Sequence, residues 1–129
     1  MSENIRVLLP EEELAARIAE LGAQISKDYE GETVFLVCIL KGASFFACEL
    51  AKRITVPVII DFMATSSYEG GTVSTGVVKI KKDLDLDPAG QNVIIVEDII
   101  DSGNTLNFLS QYFKDKGAKS VRSRLWPRL

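Results

Sequence analysis

Histidine is absent from all 129 residues. That removes zinc sites built on imidazole and the Ser-His and Cys-His nucleophile dyads. Cysteine is scarce. Cys38 and Cys48 are too few for a disulfide framework and too far apart for a Cys-x-x-Cys pair. Cys38 lies in an apolar stretch and Cys48 in a helical one, and both read as core thiols. No apolar run approaches the roughly 20 residues needed to span a bilayer. The opening Met1-Ser2-Glu3-Asn4 lacks a basic region followed by an apolar one, so no secretory signal is read there. A basic excess is also missing. Lys and Arg number 15 against 18 Asp and Glu, a net charge of −3, which gives no support to nucleic-acid binding. What is present is ordinary for a globular protein, with 47% hydrophobic and 26% charged residues. The length suits one domain over residues 1–129 with one core, and the expectation is a cytoplasmic protein without membrane association.

The pattern along the chain is that of an α/β domain. Leu14, Ile18, Leu21 and Ile25 recur at helical spacing after Pro10, and Glu11 to Glu13 complement the positive end of a helix reaching about Lys27. Thr33 to Leu40 is a continuous apolar run, as in a strand buried on both faces. A helix over about 43–53 puts Phe46, Leu50 and Ile54 on one side, and Val56 to Met63 is a second strand. Strand, helix and strand with short links form a βαβ unit, so the expected fold is a mostly parallel sheet flanked by helices. From Ala64 to Gly76 the composition turns to Ser, Thr and Gly, which reads as a long mobile loop. Val77 to Ile80 is a short strand, Asp87 to Gly90 a turn, and Asn92 to Val96 a third buried strand. Ser102-Gly103 opens a helix carrying Leu106, Leu109 and Phe113, Gly117 stops it, and Ala118 to about Arg122 begins another strand. The basic stretch from Ser123 to Leu129, with Trp126 and Pro127, does not read as a completed element.

Chemistry concentrates between Val93 and Thr105. An apolar strand delivers Glu97 and Asp98 at its carboxyl end, where open α/β sheets bind ligands. Asp101-Ser102-Gly103-Asn104-Thr105 then forms a polar loop running into a helix. Backbone N–H groups, two hydroxyls and a positive helix end together suit a phosphate, and Gly103 permits close backbone approach. The loop is neither a Gly-Lys-Ser/Thr phosphate loop nor a Gly-x-Gly-x-x-Gly dinucleotide loop. Acidic residues beside such a cradle suit sugar hydroxyls and a hard cation, so a phosphorylated ribose with a metal is implied. The competing reading makes Glu97, Asp98 and Asp101 capping or solvated charges; against it, two acids directly after an apolar run are costly when buried without purpose.

The run Val96-Glu97-Asp98-Ile99-Ile100-Asp101-Ser102-Gly103-Asn104-Thr105 resembles the 5-phosphoribosyl 1-pyrophosphate signature of type I phosphoribosyltransferases. Leu40-Lys41-Gly42-Ala43 after the first strand and Ser67-Tyr68 in the long loop make the chain similar to the hypoxanthine (hypoxanthine-guanine) branch. The resemblance implies Mg²⁺-dependent purine salvage, in which the phosphoribosyl group passes to hypoxanthine or guanine to give IMP or GMP and pyrophosphate. It implies that Glu97 and Asp98 hold the ribose hydroxyls and the metal, and that Asp101 is a general base near the purine. Ser102, Gly103, Asn104 and Thr105 would cradle the 5′-phosphate, although Asn104 stands where many relatives carry Lys or Arg. Lys41 and Gly42 would meet the pyrophosphate, with Ala43 in place of a second Gly. Ser67 and Tyr68 would belong to a lid closing over the reaction. A homo-oligomer, dimer or tetramer, is also expected.

Read without the resemblance, these residues are blander. Lys41 is a surface lysine after a strand, the Ser-Tyr loop an ordinary loop, and Lys79 to Lys82 a solvated strand end. Phe45 and Phe46 read as packing, with a subunit interface as the other use. Relatives of this kind extend further, and their base-reading Lys, stacking aromatic and metal-side Asp have no counterpart here. The expectation is therefore a chain that stops early, with the phosphoribosyl part of the site present and the base-binding part absent. A non-catalytic phosphoribosyl-binding module is the alternative to an enzyme. Retention of Lys41, Asp101 and the Ser-Tyr pair favours the enzyme lineage.

Overall fold

The computed structural model describes residues 11–40, 43–67, 78–98 and 104–126. Helix α1 (Glu11–Asp28) precedes strand β1 (Val34–Ile39), helix α2 (Ser44–Ala51), strands β2 (Val58–Ser67), β3 (Val78–Lys82) and β4 (Asn92–Asp98), helix α3 (Asn104–Asp115) and strand β5 (Ser120–Trp126). The strands form one sheet in the order β3-β2-β1-β4-β5. β1 runs parallel to β2 and to β4, and β4 parallel to β5; only β3 is antiparallel, against β2. The expected mostly parallel α/β fold is what the chain adopts.

Alternation along β1 assigns each layer. Val34, Leu36 and Cys38 pack with Ile18 and Ile25 of α1 and Phe46, Ala47 and Leu50 of α2. Phe35, Val37 and Ile39 face the other way, with Leu109 and Phe113 of α3. A strand whose six residues are all buried must be apolar throughout, and β1 is. Burial also pushes the Cys38 thiol up to about 12, with the neighbouring Cys48 adding to it, so Cys38 is an inert core group.

Three sequence expectations are corrected. Ala64 to Ser67 do not open a loop; they continue β2 and pair with β3, because the antiparallel neighbour satisfies a polar backbone that the sheet's interior does not cover. Ser123 to Trp126 complete β5, pairing with β4 as far as Asp98↔Trp126. As an edge strand β5 needs no continuous apolar run, and its arginines sit on a half-open face. Cys48 is exposed, since Phe46, Ala47 and Leu50 occupy the sheet-facing side of α2 and Cys48 lies about 200° around the helix from Phe46. By the same geometry Phe46 is buried while Phe45 is 85% exposed.

Chain reversals rest on local chemistry. Gly117, at φ +90°, ends α3: its N–H donates to the Lys114 carbonyl at 3.0 Å and the Ala118 N–H to the Phe113 carbonyl at 3.0 Å. That pair of bonds is a Schellman cap, which places β5 beside β4 without strain. No helix among the described residues is long and apolar enough to cross a membrane.

Helix α1 is held against the α2–β2 connection by close backbone approach. Ser26 Oγ donates to the Gly22 carbonyl at 2.7 Å and accepts from the Thr55 N–H at 2.8 Å. A Cβ on Gly22 would stand 2.5 Å from Arg53 Cβ and 2.7 Å from the Arg53 carbonyl oxygen, so backbone must move to admit it. Gly22→Ala is expected to destabilise the chain by about 1–3 kcal/mol despite alanine's better helix propensity. Urea denaturation checks this, and an unchanged or raised midpoint would contradict the packing.

Candidate functional site

Connections out of β1 and β4 leave toward opposite faces of the sheet. After β1 the chain enters α2, which packs with α1 on one face; after β4 it enters α3 on the other. β1 and β4 are nonetheless direct parallel neighbours, in register from Val34↔Asn92 to Cys38↔Val96. Strand order reverses here, and the carboxyl ends of strands at such a switch point are where open α/β sheets bind ligands. Leu40 and the Glu97-Asp98 pair therefore share one edge of the sheet.

Several candidate residues lie outside the described ones: Lys41, Gly42, Tyr68, Asp101, Ser102 and Gly103. The chain enters and leaves their segments at described residues, and these converge. Leu40 closes β1 with its N–H on the Met63 carbonyl at 2.8 Å, and Ala43, fully buried, precedes α2. Asp98 ends β4 and Asn104 begins α3. Ser67 ends β2 as the register partner of Val78 at the start of β3.

Two candidate side chains are described in full. Glu97 is 1% exposed and follows Val93 and Ile95 in strand alternation, which turns it toward the α3 layer. Thr105 is 3% exposed in the first turn of α3, where free N–H groups and the helix dipole favour an anion. A buried carboxylate thus sits at the strand end and a buried hydroxyl at the helix start. The donors on offer are hard oxygens, which suit hydroxyl groups and hard cations. Among the described residues there is no cluster of three or more metal-ligating side chains.

Polar side chains brace the elements that lead to this edge, and sequence reading passed over them. Asp61, 4% exposed within β2, accepts the Phe62 N–H at 2.8 Å and the Asp85 and Leu86 N–H groups at 2.9 Å each. A lone acid inside Val58-Ile59-Ile60-Asp61-Phe62 was the available signal. Lys82 Nζ donates to the Phe62 carbonyl at 3.2 Å and the Asp83 carbonyl at 2.9 Å. The Tyr112 hydroxyl of α3 donates to Asp83 Oδ2 at 2.5 Å. At the opposite edge, Asn92 donates to Glu32 at 2.8 Å and accepts from Ser120 at 3.0 Å, while Lys119 pairs with Glu32 at 3.2 Å. The bonds from Asn92 and Lys119 hold the Glu32 carboxyl below its ordinary value.

This geometry defines an open α/β protein whose candidate site lies at the carboxyl edge of its sheet, between β1 and β4. A family profile described as "Phosphoribosyl transferase domain" matches residues 6–125, and the chain belongs to that family. The hypoxanthine-guanine phosphoribosyltransferase of Streptococcus thermophilus is 49% identical over 117 residues, covering 91% of this chain and 65% of that protein. Its counterpart in Streptococcus mutans is 50% identical over 123 residues, covering 95% and 68%. The crystal structure of a hypoxanthine phosphoribosyltransferase from Staphylococcus aureus matches with a TM-score of 0.85 at 42% identity, over 92% of this chain and 64% of that one. The chain spans about two thirds of the length of these relatives.

Burial pushes the Asp83 carboxyl up, but the Tyr112 hydroxyl, the Leu84 N–H and the Lys116 and Lys82 charges outweigh it and leave Asp83 below its ordinary 3.8. A folded value below the unfolded one means that the fold favours the carboxylate. This stabilisation is complete above the unfolded value and is lost as pH falls through it toward the folded value. Asp83→Asn should therefore lose less stability than the native chain as pH drops below about 4. Denaturation midpoints across that range check this, and parallel curves for the two proteins would contradict it.

Proposed function

We propose that the chain serves purine salvage as a hypoxanthine (hypoxanthine-guanine) phosphoribosyltransferase. Its substrates are 5-phosphoribosyl 1-pyrophosphate and hypoxanthine or guanine; its products are IMP or GMP and pyrophosphate. The observation that supports this reading is the parallel β1–β4 pair, whose carboxyl ends put Leu40 and Glu97-Asp98 at one edge of the sheet. Relatives at about half identity, named hypoxanthine-guanine phosphoribosyltransferases, support it.

The family resemblance implies the roles, and the chemistry of the groups fits them. Glu97 and Asp98 accept the ribose hydroxyls. Ser102, Gly103, Asn104 and Thr105 take the 5′-phosphate at the start of α3, where N–H groups and the helix dipole favour an anion. Lys41 and the Gly42 backbone meet the pyrophosphate, and Lys41 offsets the charge that develops on it as it leaves. The anomeric C–O bond breaks toward an oxocarbenium-like sugar, purine N9 bonds to that carbon, and Asp101 takes the purine proton as general base. Ser67 and Tyr68 exclude water, the competing nucleophile. Glu97 and Asp98 would hold Mg²⁺ with the ligand's own oxygens, a donor set that fits this ion. When bound, Mg²⁺ supplies charge neutralisation for the diphosphate. A homo-oligomer in solution, dimer or tetramer, belongs to the same proposal.

Asp101→Asn tests the assignment. General acid–base assistance is typically worth about 10²–10⁴-fold, so in a version extended to the relatives' full length kcat for IMP formation should fall by that order while KM for phosphoribosyl pyrophosphate changes little. An unchanged kcat at neutral pH would contradict the role of Asp101. Binding of the pyrophosphate substrate with no turnover by the native chain would instead favour a non-catalytic phosphoribosyl-binding module.

A further inference from the structure

Tyr112 and Asp83 lie outside the candidate site, yet they join the two arms that reach it. From Tyr112, helix α3 runs back seven residues, about 10 Å at 1.5 Å per residue, to buried Thr105 in its first turn. From Asp83, strand β3 runs back to Val78, about 15 Å away, which pairs with Ser67 beside the other end of the site. α3 returns antiparallel to β4, and β3 antiparallel to β2, so both arms point to the carboxyl edge of the sheet. The Tyr112–Asp83 bond stands where the arms meet.

The joint is built to hold an angle. Its bond is an O–H to a carboxylate at 2.5 Å, a charge-assisted contact stronger than a neutral one. Asp83 is itself fixed, because its Oδ1 accepts the Leu84 N–H at 2.7 Å and its carbonyl accepts from Lys82 Nζ at 2.9 Å. Lys82 also reaches the Phe62 carbonyl, and Asp61 accepts from Asp85 and Leu86, so residues 82–86 are clamped to β2. On the helix side the Tyr112 ring is held against Phe108 at 6.0 Å, stacked, and Phe113 at 5.5 Å, edge-on, with the Lys116 ammonium 5.2 Å from its centre. The ribbon has one irregularity, the register shift between Ala64 and Thr65, just above the clamp. A β-bulge there bends the strand and increases its local twist.

We propose that the Tyr112–Asp83 bond is a strut that sets the angle between helix α3 and the β2–β3 ribbon, and so holds the phosphate-binding helix start and the Ser67 side of the site in register. Tyr112 and Asp83 are positioning residues. Their effect on ligand affinity rests on the proposed function, whereas the strut itself does not.

The test therefore has a ligand-free arm. Spin labels at Lys79→Cys on β3 and Asn107→Cys on α3, both exposed positions, report the inter-arm distance in a Cys48→Ser background. Tyr112→Phe and Asp83→Ala should each broaden that distance distribution, and Asp83→Asn, which keeps an acceptor for the hydroxyl, should restore it. The double variant should be no broader than either single one. Unchanged widths in both single variants would overturn the strut, whatever the chain binds. In calorimetry with phosphoribosyl pyrophosphate and Mg²⁺, Tyr112→Phe and Asp83→Ala should weaken binding about five- to tenfold, with Asp83→Asn close to the native value. Broadened distances with unaltered affinity would overturn the strut's role at the site. A native chain that fails to bind the substrate would contradict the proposed function instead, while the distance measurement still decides the strut.

Discussion

Parallel pairing of β1 with β4, with the following helices leaving to opposite faces, is the constraint on which the rest of the structure depends. Parallel neighbours put their carboxyl ends at the same edge, and crossovers that diverge cannot close over the gap between them. The β1–β4 pair is also the centre of the core. β1 is buried on both faces, and Val93 to Val96 supply both apolar layers. Stability and site placement thus come from the same ladder: residues that fill the core bring Glu97 to the edge and hold it there at 1% exposure.

Polar groups finish what the apolar core cannot. Pairing of β3 with β2 ends at Ala64↔Lys82, so the lower outer edge of β2 would face water or a connecting loop. Asp61 and Lys82 resolve this by binding backbone groups across that edge, an edge covered by side chains rather than by another strand. At the amino edge Asn92 does the equivalent work between β1, β4 and β5 through Glu32, Thr33 and Ser120. The buried polar side chains divide accordingly: Asp61 and Asn92 brace the sheet, while Glu97 and Thr105 stand at the candidate site.

Periodicity carries the helices and central strands plainly, because burial on one stripe or on both faces leaves no other pattern. Ile18 and Ile25, Phe46 and Leu50, and Leu109 and Phe113 are buried where spacing put them. The edges are harder to read. Ser66 and Arg124 look like loop or tail residues because an edge strand need not be apolar, and pairing partners decide their state. Cys48 looks like core because its neighbours do, while helical phase turns it outward. The acidic pair after an apolar run was legible as a candidate ligand edge because carboxylates there are otherwise costly. The bracing contacts of Asp61, Asp83 and Tyr112 were not, since they join residues 24 to 29 positions apart and no local pattern encodes such pairs.

Backbone amide shifts recorded during titration with phosphoribosyl pyrophosphate and Mg²⁺ test the central claim most directly, because they locate the ligand residue by residue. The account predicts saturable perturbations centred on the carboxyl ends of β1 and β4 and the first turn of α3, at Leu40, Glu97, Asp98 and Thr105, with the amino edge around Glu32 and Asn92 silent. Perturbations centred on that amino edge, or none at saturating ligand, would contradict it.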